Sequence, residues 1–153
     1  MSVQMKKMVS STEIKLDGNV FHEIFRYRPH HISYMSPKHV QSVDLCDGEW
    51  GNVGSVICWN FTTHDGKKKA SKNIIEAIDE AKKSITFRVT EGDIKAVYKS
   101  FAFTVQVDKV GDNNLVTWTL EYEKQDENTP EPDGLMKLCF ILTKDIEAYN
   151  LKN

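Results

Sequence analysis

The chain has 153 residues, with 20 Lys and Arg set against 22 Asp and Glu for a formal net charge of -2, and 40% hydrophobic content. This balance lacks the basic footprint that nucleic acid requires and is ordinary for a globular protein. The length suits a single domain over residues 1–153, long enough to bury roughly 68–70% of the surface exposed by the unfolded chain.

A first strand is expected over residues 9–16. Asp17-Gly18-Asn19 then offers N-cap chemistry, and Val20, Ile24 and Phe25 form a short helical stripe ending near Tyr27. Pro29 starts a second short helix through His30, His31, Ile32 and Tyr34, which Ser36-Pro37 stops. Strand two is expected over 40–46, followed by Gly48, Gly51 and Gly54 around Trp50. Glycines at this spacing invite comparison with a phosphate cradle, but such a site leads from a strand into a helix. Here residues 55–62 are β-branched and aromatic, with Ile57, Trp59 and Phe61 on one face, so the glycines join two strands. No Gly-Lys-Ser/Thr follows, and Asp44, Asp47 and Glu49 would repel an anion. Trp50 at the loop tip is expected to cap the turn, ahead of the alternative that it contacts a partner or ligand.

His64-Asp65-Gly66 turns the chain into strand four, over 72–79, with Lys67, Lys68 and Lys69 as a solvated flank. Strand five, 85–91, alternates Ile85, Phe87 and Val89 with polar residues; strand six carries Phe101, Phe103, Val105 and Val107; strand seven carries Val116, Trp118, Leu120 and Tyr122. Period-2 alternation means one buried and one wet face. A polar linker over 126–133 precedes a helical stripe of Leu135, Leu138, Cys139, Leu142, Ile146 and Tyr149.

No run reaches the ~20 apolar residues of a membrane span, and residues 1–7 lack a signal-peptide core. The three cysteines, Cys46, Cys58 and Cys139, are widely spaced without Cys-x-x-Cys and read as reduced core thiols of a cytoplasmic protein. His22-Glu23 fails the His-Glu-x-x-His zinc motif because position 26 is Arg26. His30 and His31 point about 100° apart on a helix and read as solvated. No metal site and no cofactor are expected. The inward set of Ile57, Trp59, Phe61, Asn73, Ile75, Phe87 and Val89, continued by Phe101, Phe103, Trp118, Leu120 and Tyr122, faces Leu135, Leu138, Cys139 and Leu142 of the last helix. A packed core and an apolar ligand cavity share this composition, and periodicity cannot separate them.

Several stretches, in order along nearly the whole chain, carry a resemblance. They are Glu23-Ile24-Phe25-Arg26, Met35-Ser36-Pro37, the loop from Gly48 to Ser55, Glu76-Ala77-Ile78-Asp79, Glu91-Gly92-Asp93 and Tyr98-Lys99-Ser100-Phe101. Trp118-Thr119-Leu120-Glu121-Tyr122-Glu123-Lys124 and Thr143-Lys144-Asp145-Ile146 complete the set. The chain resembles plant major latex proteins, within the START-like superfamily of the birch pollen allergen Bet v I. The resemblance implies an α+β helix-grip fold: a seven-stranded antiparallel sheet wrapped around a long C-terminal helix, two short helices closing one end, and a large hydrophobic cavity. It further implies carriage of a sterol, lipid, flavonoid, hormone or terpenoid, with roles in defence, stress response or specialised metabolism, by a monomer or weak dimer.

The alternative is a cofactor-free cyclase or isomerase acting in the same cavity. Enzymes of that kind usually need a cavity-facing acid or base with a shifted pKa, and the inward face of the last helix carries no Lys, Glu or Asp, which favours binding; a cyclase that only shapes its substrate escapes that objection. Polar contacts are expected from Asn73 and Tyr122 in the wall and from His30, His31 and Tyr34 at the mouth. A ribonuclease role, sometimes proposed for the superfamily, is opposed by the acidic loop and the lack of a basic groove.

Overall fold

A computed structural model describes residues 5–152; residues 1–4, part of the segment judged above to lack a signal peptide, and Asn153 lie outside the described residues. Seven strands form: β1 (Met5–Ile14), β2 (Val40–Asp47), β3 (Val56–Thr62), β4 (Lys68–Asp79), β5 (Ser84–Gly92), β6 (Tyr98–Val110) and β7 (Asn113–Lys124). They pair antiparallel in the order β1-β7-β6-β5-β4-β3-β2, so β1 returns to the last strand and β2 forms the other edge. The helices are α1 (Gly18–Tyr27), α2 (Ile32–Met35) behind a 3-10 turn at Pro29–His31, α3 (Asp93–Val97) and α4 (Asp133–Leu151). This is the helix-grip arrangement that the resemblance implies.

The alternation works as period-2 geometry requires. Ile57, Ile75, Phe87, Phe101 and Leu120 are buried on the inner face. On the outer face Thr86 and Thr104 pair hydroxyls at 2.9 Å, and Arg88 meets Glu76 at 2.7 Å. Asp17 caps α1 by accepting from Asn19 N at 2.7 Å, and α1 buries Phe21, Ile24 and Phe25. The helix α4 turns Met136, Leu138, Cys139, Leu142, Thr143 and Ile146 inward. Tyr149, expected on that stripe, instead lies outward against Tyr34 of α2, ring centroids 5.4 Å apart. Ser36, just after α2, donates to Asp145 Oδ2 at 2.6 Å and ties the short helix to the long one.

Several boundaries differ from expectation because partners set them. Strand β1 starts at Met5 rather than residue 9, since β7 pairs with it from Met5↔Glu123 to Ile14↔Asn114. Strand β4 starts at Lys68, extending the inward parity of Asn73 and Ile75 back to Ser71. The helix α3, five residues long, is too short for a periodic signal; Asp93 anchors it by accepting from Ala70 N at 2.7 Å.

The expectation of three reduced core thiols fails for two of them. Cys46 and Cys58 are joined by a disulfide across β2 and β3, Cα atoms 6.2 Å apart. Cys58 lies between inward-facing Ile57 and Trp59, hence on the outer face; it pairs with Asp44, and Cys46 lies two residues on, at the register shift between Leu45 and Asp47. Cys139 is a free, buried thiol.

The glycine loop folds as a structural connection between β2 and β3. Ser55 Oγ donates to Glu49 O at 2.6 Å and accepts from Glu49 N at 2.9 Å, and Gly54 N donates to Ile75 O at 2.8 Å. Gly51 (φ 88) lies so close to α1 that a Cβ would meet the Tyr27 ring at 2.4 Å, while its carbonyl accepts from Arg26 Nε at 3.1 Å. Gly54 (φ 93) faces open space. His22, buried, hydrogen-bonds Glu80 at 2.7 Å, and Arg26 pairs with the same carboxylate, which these bonds hold below the ordinary glutamate range. The end of the sheet carrying the glycine loop is thereby latched shut.

Gly54→Ala carries only the penalty for a left-handed residue, about 1–2 kcal/mol. Gly51→Ala adds the clash with Tyr27 and is expected to destabilise by at least about 1 kcal/mol more in urea titrations. Unfolding without reductant should expose one reactive thiol per chain to a thiol reagent, and unfolding after reduction should expose three.

Candidate functional site

Between the sheet and α4 lies a cavity of about 80 Å³. Its sheet side is built by Trp59 and Phe61 of β3, Ser71 and Asn73 of β4, and Phe87, Phe103 and Trp118 of the next three strands. Leu135, Leu138, Cys139 and Leu142 of α4 form the opposite wall, and Phe25, Val40 and Ile94 complete it. The chamber is smaller than the large cavity implied by the resemblance because aromatic side chains fill the gap; Phe25 and Trp118 meet edge-on at 5.4 Å.

Ten of the sixteen expected wall residues converge here. Ile57, Ile75, Val89, Phe101, Leu120 and Tyr122 are buried on the same inner face but lie in the packed part of the core. Parity selects a face of the sheet; it does not select the place where packing leaves space. Four wall residues escaped the sequence pattern. Ser71 shares the parity of Asn73 and needed only the correct start of β4, whereas Val40 opens a strand from which no wall residue was expected. Phe25 belongs to the stripe of α1, whereas Ile94 sits in the short α3 and gave no signal.

The polar groups of the wall are few. Trp118 Nε1 donates to Thr143 Oγ1 at 2.8 Å, and that hydroxyl donates to Cys139 O at 2.7 Å. Ser71 Oγ donates to Asn73 Oδ1 at 2.9 Å. The inner wall holds no carboxylate, amine or imidazole, and burial pushes the Cys139 thiol far up, which keeps it neutral.

A second cavity of about 260 Å³ adjoins the first and shares Phe61, Ile94 and Leu135 with it. Its rim comes from the β3–β4 hairpin (Thr63, His64, Asp65, Lys67 and Lys69), from Asp93 and Val97, and from Tyr98, Glu131, Pro132 and Gly134. Lys67 and Lys69 therefore border an opening as well as flank a turn. The rim carboxylates have partners within the chain: Asp65 with Thr63, Asp93 with Ala70 N, and Glu131 with Tyr122 and Lys124. Tyr98 OH donates to Pro130 O at 2.7 Å, so two tyrosines pin the linker before α4. Tyr122, expected to offer its hydroxyl to the cavity, commits it to Glu131.

The residues expected at the mouth sit elsewhere. His30 stacks on Trp50 at 4.3 Å, meets His31 edge-on at 4.4 Å, and His31 leads to Tyr34 at 5.3 Å. None of these residues lines either cavity. Nor are the histidines simply solvated: both are half-buried, and burial, with His31 and Arg28 nearby, holds the His30 imidazole below the usual value. Trp50 caps the loop through this stack. Among the described residues no three His, Cys, Asp or Glu side chains converge as a metal site, and no helix is long and apolar enough to cross a membrane.

Burial, with the Glu131 and Asp133 carboxylates adding to it, pushes Tyr98 up to about 12. An unfolded tyrosine ionises near pH 10, so this contribution to stability is complete below about pH 10 and is lost as pH rises towards about 12. Urea midpoints followed across that window should fall in the native protein, and Tyr98→Phe should flatten part of the fall.

The chain matches the model of the pathogenesis-related protein Bet v 1 family over residues 3–153. It is 43% identical over 147 residues to MLP-like protein 43 of Arabidopsis thaliana, covering 95% of this chain and 92% of that protein. MLP-like protein 28 of the same plant is also 43% identical over 147 residues and 95% of this chain, but the match covers 44% of its length, so the chain spans about half of that relative. The crystal structure of ginseng major latex-like protein 151 from Panax ginseng superposes with a TM-score of 0.92 at 45% identity, covering 95% of this chain and 97% of that one. With this fold, this loop and these relatives, the chain belongs to the Bet v 1 family and is similar to its major latex proteins.

Proposed function

We infer that this protein binds and carries a hydrophobic small molecule, of sterol, lipid, flavonoid, hormone or terpenoid type, in the cavity between the sheet and α4. The observation carrying this reading is a pair of adjoining cavities, an apolar one between sheet and helix and a wider, polar-rimmed one, with Phe61, Ile94 and Leu135 bordering both. Together the chambers reach the lower end of the volumes typical of ligand pockets, roughly 300–1,000 Å³. The proposed contacts are Trp59, Phe61, Asn73, Phe87, Phe103 and Trp118 on the sheet, with Leu135, Leu138, Cys139 and Leu142 on the helix. The inner wall offers no group able to take or give a proton near neutral pH, which supports carriage over catalysis. The ligand's apolar body would occupy the inner chamber, and its polar end would meet the rim.

An anilinonaphthalene fluorophore is expected to bind the native protein with enhanced, blue-shifted emission. Leu142→Arg places an unpaired charge in the wall, and half-buried Leu135→Trp blocks the passage between chambers without burying a charge. Each should weaken binding at least about tenfold, with near-ultraviolet circular dichroism reporting the fold. A native sample that takes up no apolar probe ends this reading.

A further inference from the structure

We propose that the inner chamber selects ligands carrying a hydrogen-bond acceptor oxygen, such as a carbonyl, on an otherwise apolar body, and that Trp59 and Asn73 bind that oxygen. The proposal rests on the cavity reading above and specifies the class of ligand within it.

The Trp59 indole N–H is buried and meets no acceptor among the described residues. One other buried side-chain atom among them shares that condition, His30 Nδ1, and His30 lies against Trp50 outside the cavity. Buried donors are nearly always paired, and an indole can only donate, so an acceptor is the one kind of group that satisfies it. The same wall supplies the contrast. Trp118 finds its acceptor inside the chain, in Thr143 at 2.8 Å, so this cavity does not leave indoles unpaired as a rule.

Strand register places a second donor beside the first. Trp59 pairs with Ser71 and Ile57 pairs with Asn73, so Trp59 and Asn73 are diagonal neighbours on the inner face of β3 and β4. Asn73 Oδ1 already accepts from Ser71 Oγ at 2.9 Å, so its amide NH2 is the group it has to offer a ligand. Across the chamber stand Leu135, Leu138, Leu142 and the neutral Cys139 thiol. An acceptor oxygen seated between these two residues would be offered both donors. A protonated amine would meet no carboxylate in the inner chamber and is disfavoured.

The test uses 2-acetylnaphthalene and 2-isopropenylnaphthalene, nearly isosteric probes that differ in a carbonyl oxygen against a methylene. Both are titrated by calorimetry into the native protein, Trp59→Phe and Asn73→Leu. The ketone-to-alkene affinity ratio is expected to fall about tenfold in Trp59→Phe and severalfold in Asn73→Leu, the ratio cancelling the change in apolar contact that both probes share. In the native protein, the Trp59 indole N–H resonance, assigned from its through-space contacts, should move downfield with the ketone and not with the alkene. This second readout decides the matter even if a variant misfolds. If both probes bind but the ratio is the same in all three proteins and that resonance does not distinguish the probes, the donor assignment is overturned while the cavity reading stands. If neither probe binds, both fall together.

Discussion

One helix has to cover one sheet, and the rest of the molecule follows from the mismatch between them. A helix is about 10–12 Å across, whereas seven strands about 4.8 Å apart would span roughly 30 Å if flat. The sheet therefore has to curl around α4, and even so the helix meets mainly β1 and β7 along its length. What remains between α4 and β3 to β6 is filled partly by Phe25, Phe87, Phe103 and Trp118, and partly left as the inner chamber. The short helices are the other half of the solution. The helix α1 and its neighbours cover one region of the inner face with Phe21, Ile24 and Phe25, while α3 offers a single buried residue, Ile94.

This division gives the two ends of β3 different characters. At its start, the glycine loop is tied to α1 by the Gly51–Tyr27 contact and by Arg26, and Trp50 is held by the stack on His30. At its end, the β3–β4 hairpin, α3 and the tyrosine-pinned linker enclose a vestibule rimmed by charged side chains. Side chains of α1 and of the 3-10 turn hold the first end. The second is bounded by a hairpin, a short helix and the linker.

Polar groups in an apolar wall are informative because their desolvation must be compensated. Thr143 compensates Trp118 and at the same time bonds back to Cys139 O, so this pair locks a bulky side chain across the sheet–helix interface. Ser71 and Asn73 compensate one another in part. Among the described residues none accepts from the Trp59 indole N–H. The chemistry of the cavity resides in this uneven compensation, since the surrounding hydrocarbon discriminates little between apolar shapes.

The order of elements, the inward parity of each strand and the stripe of α4 were legible from residue order alone, because side-chain direction follows local backbone geometry. So was the structural nature of the glycine loop, from the strand that follows it. Where space remains in the core was not legible: Trp59 and Ile57 share one face of one strand, yet the first lines the chamber and the second is packed. That outcome depends on the summed volumes of side chains from six strands and three helices, spread along the chain from Phe25 to Leu142. The Cys46–Cys58 bond rests on the pairing of β2 with β3, the border of the second cavity partly on a five-residue helix, and the burial of His22 on Glu80, none of them set by local sequence alone. By itself the sequence determined which residues face inward and which family the chain resembles; the tertiary structure alone decided where the cavity lies, how it opens and which donor in its wall stands unpaired. Facing is a local property of the backbone, and space is a property of the whole packing.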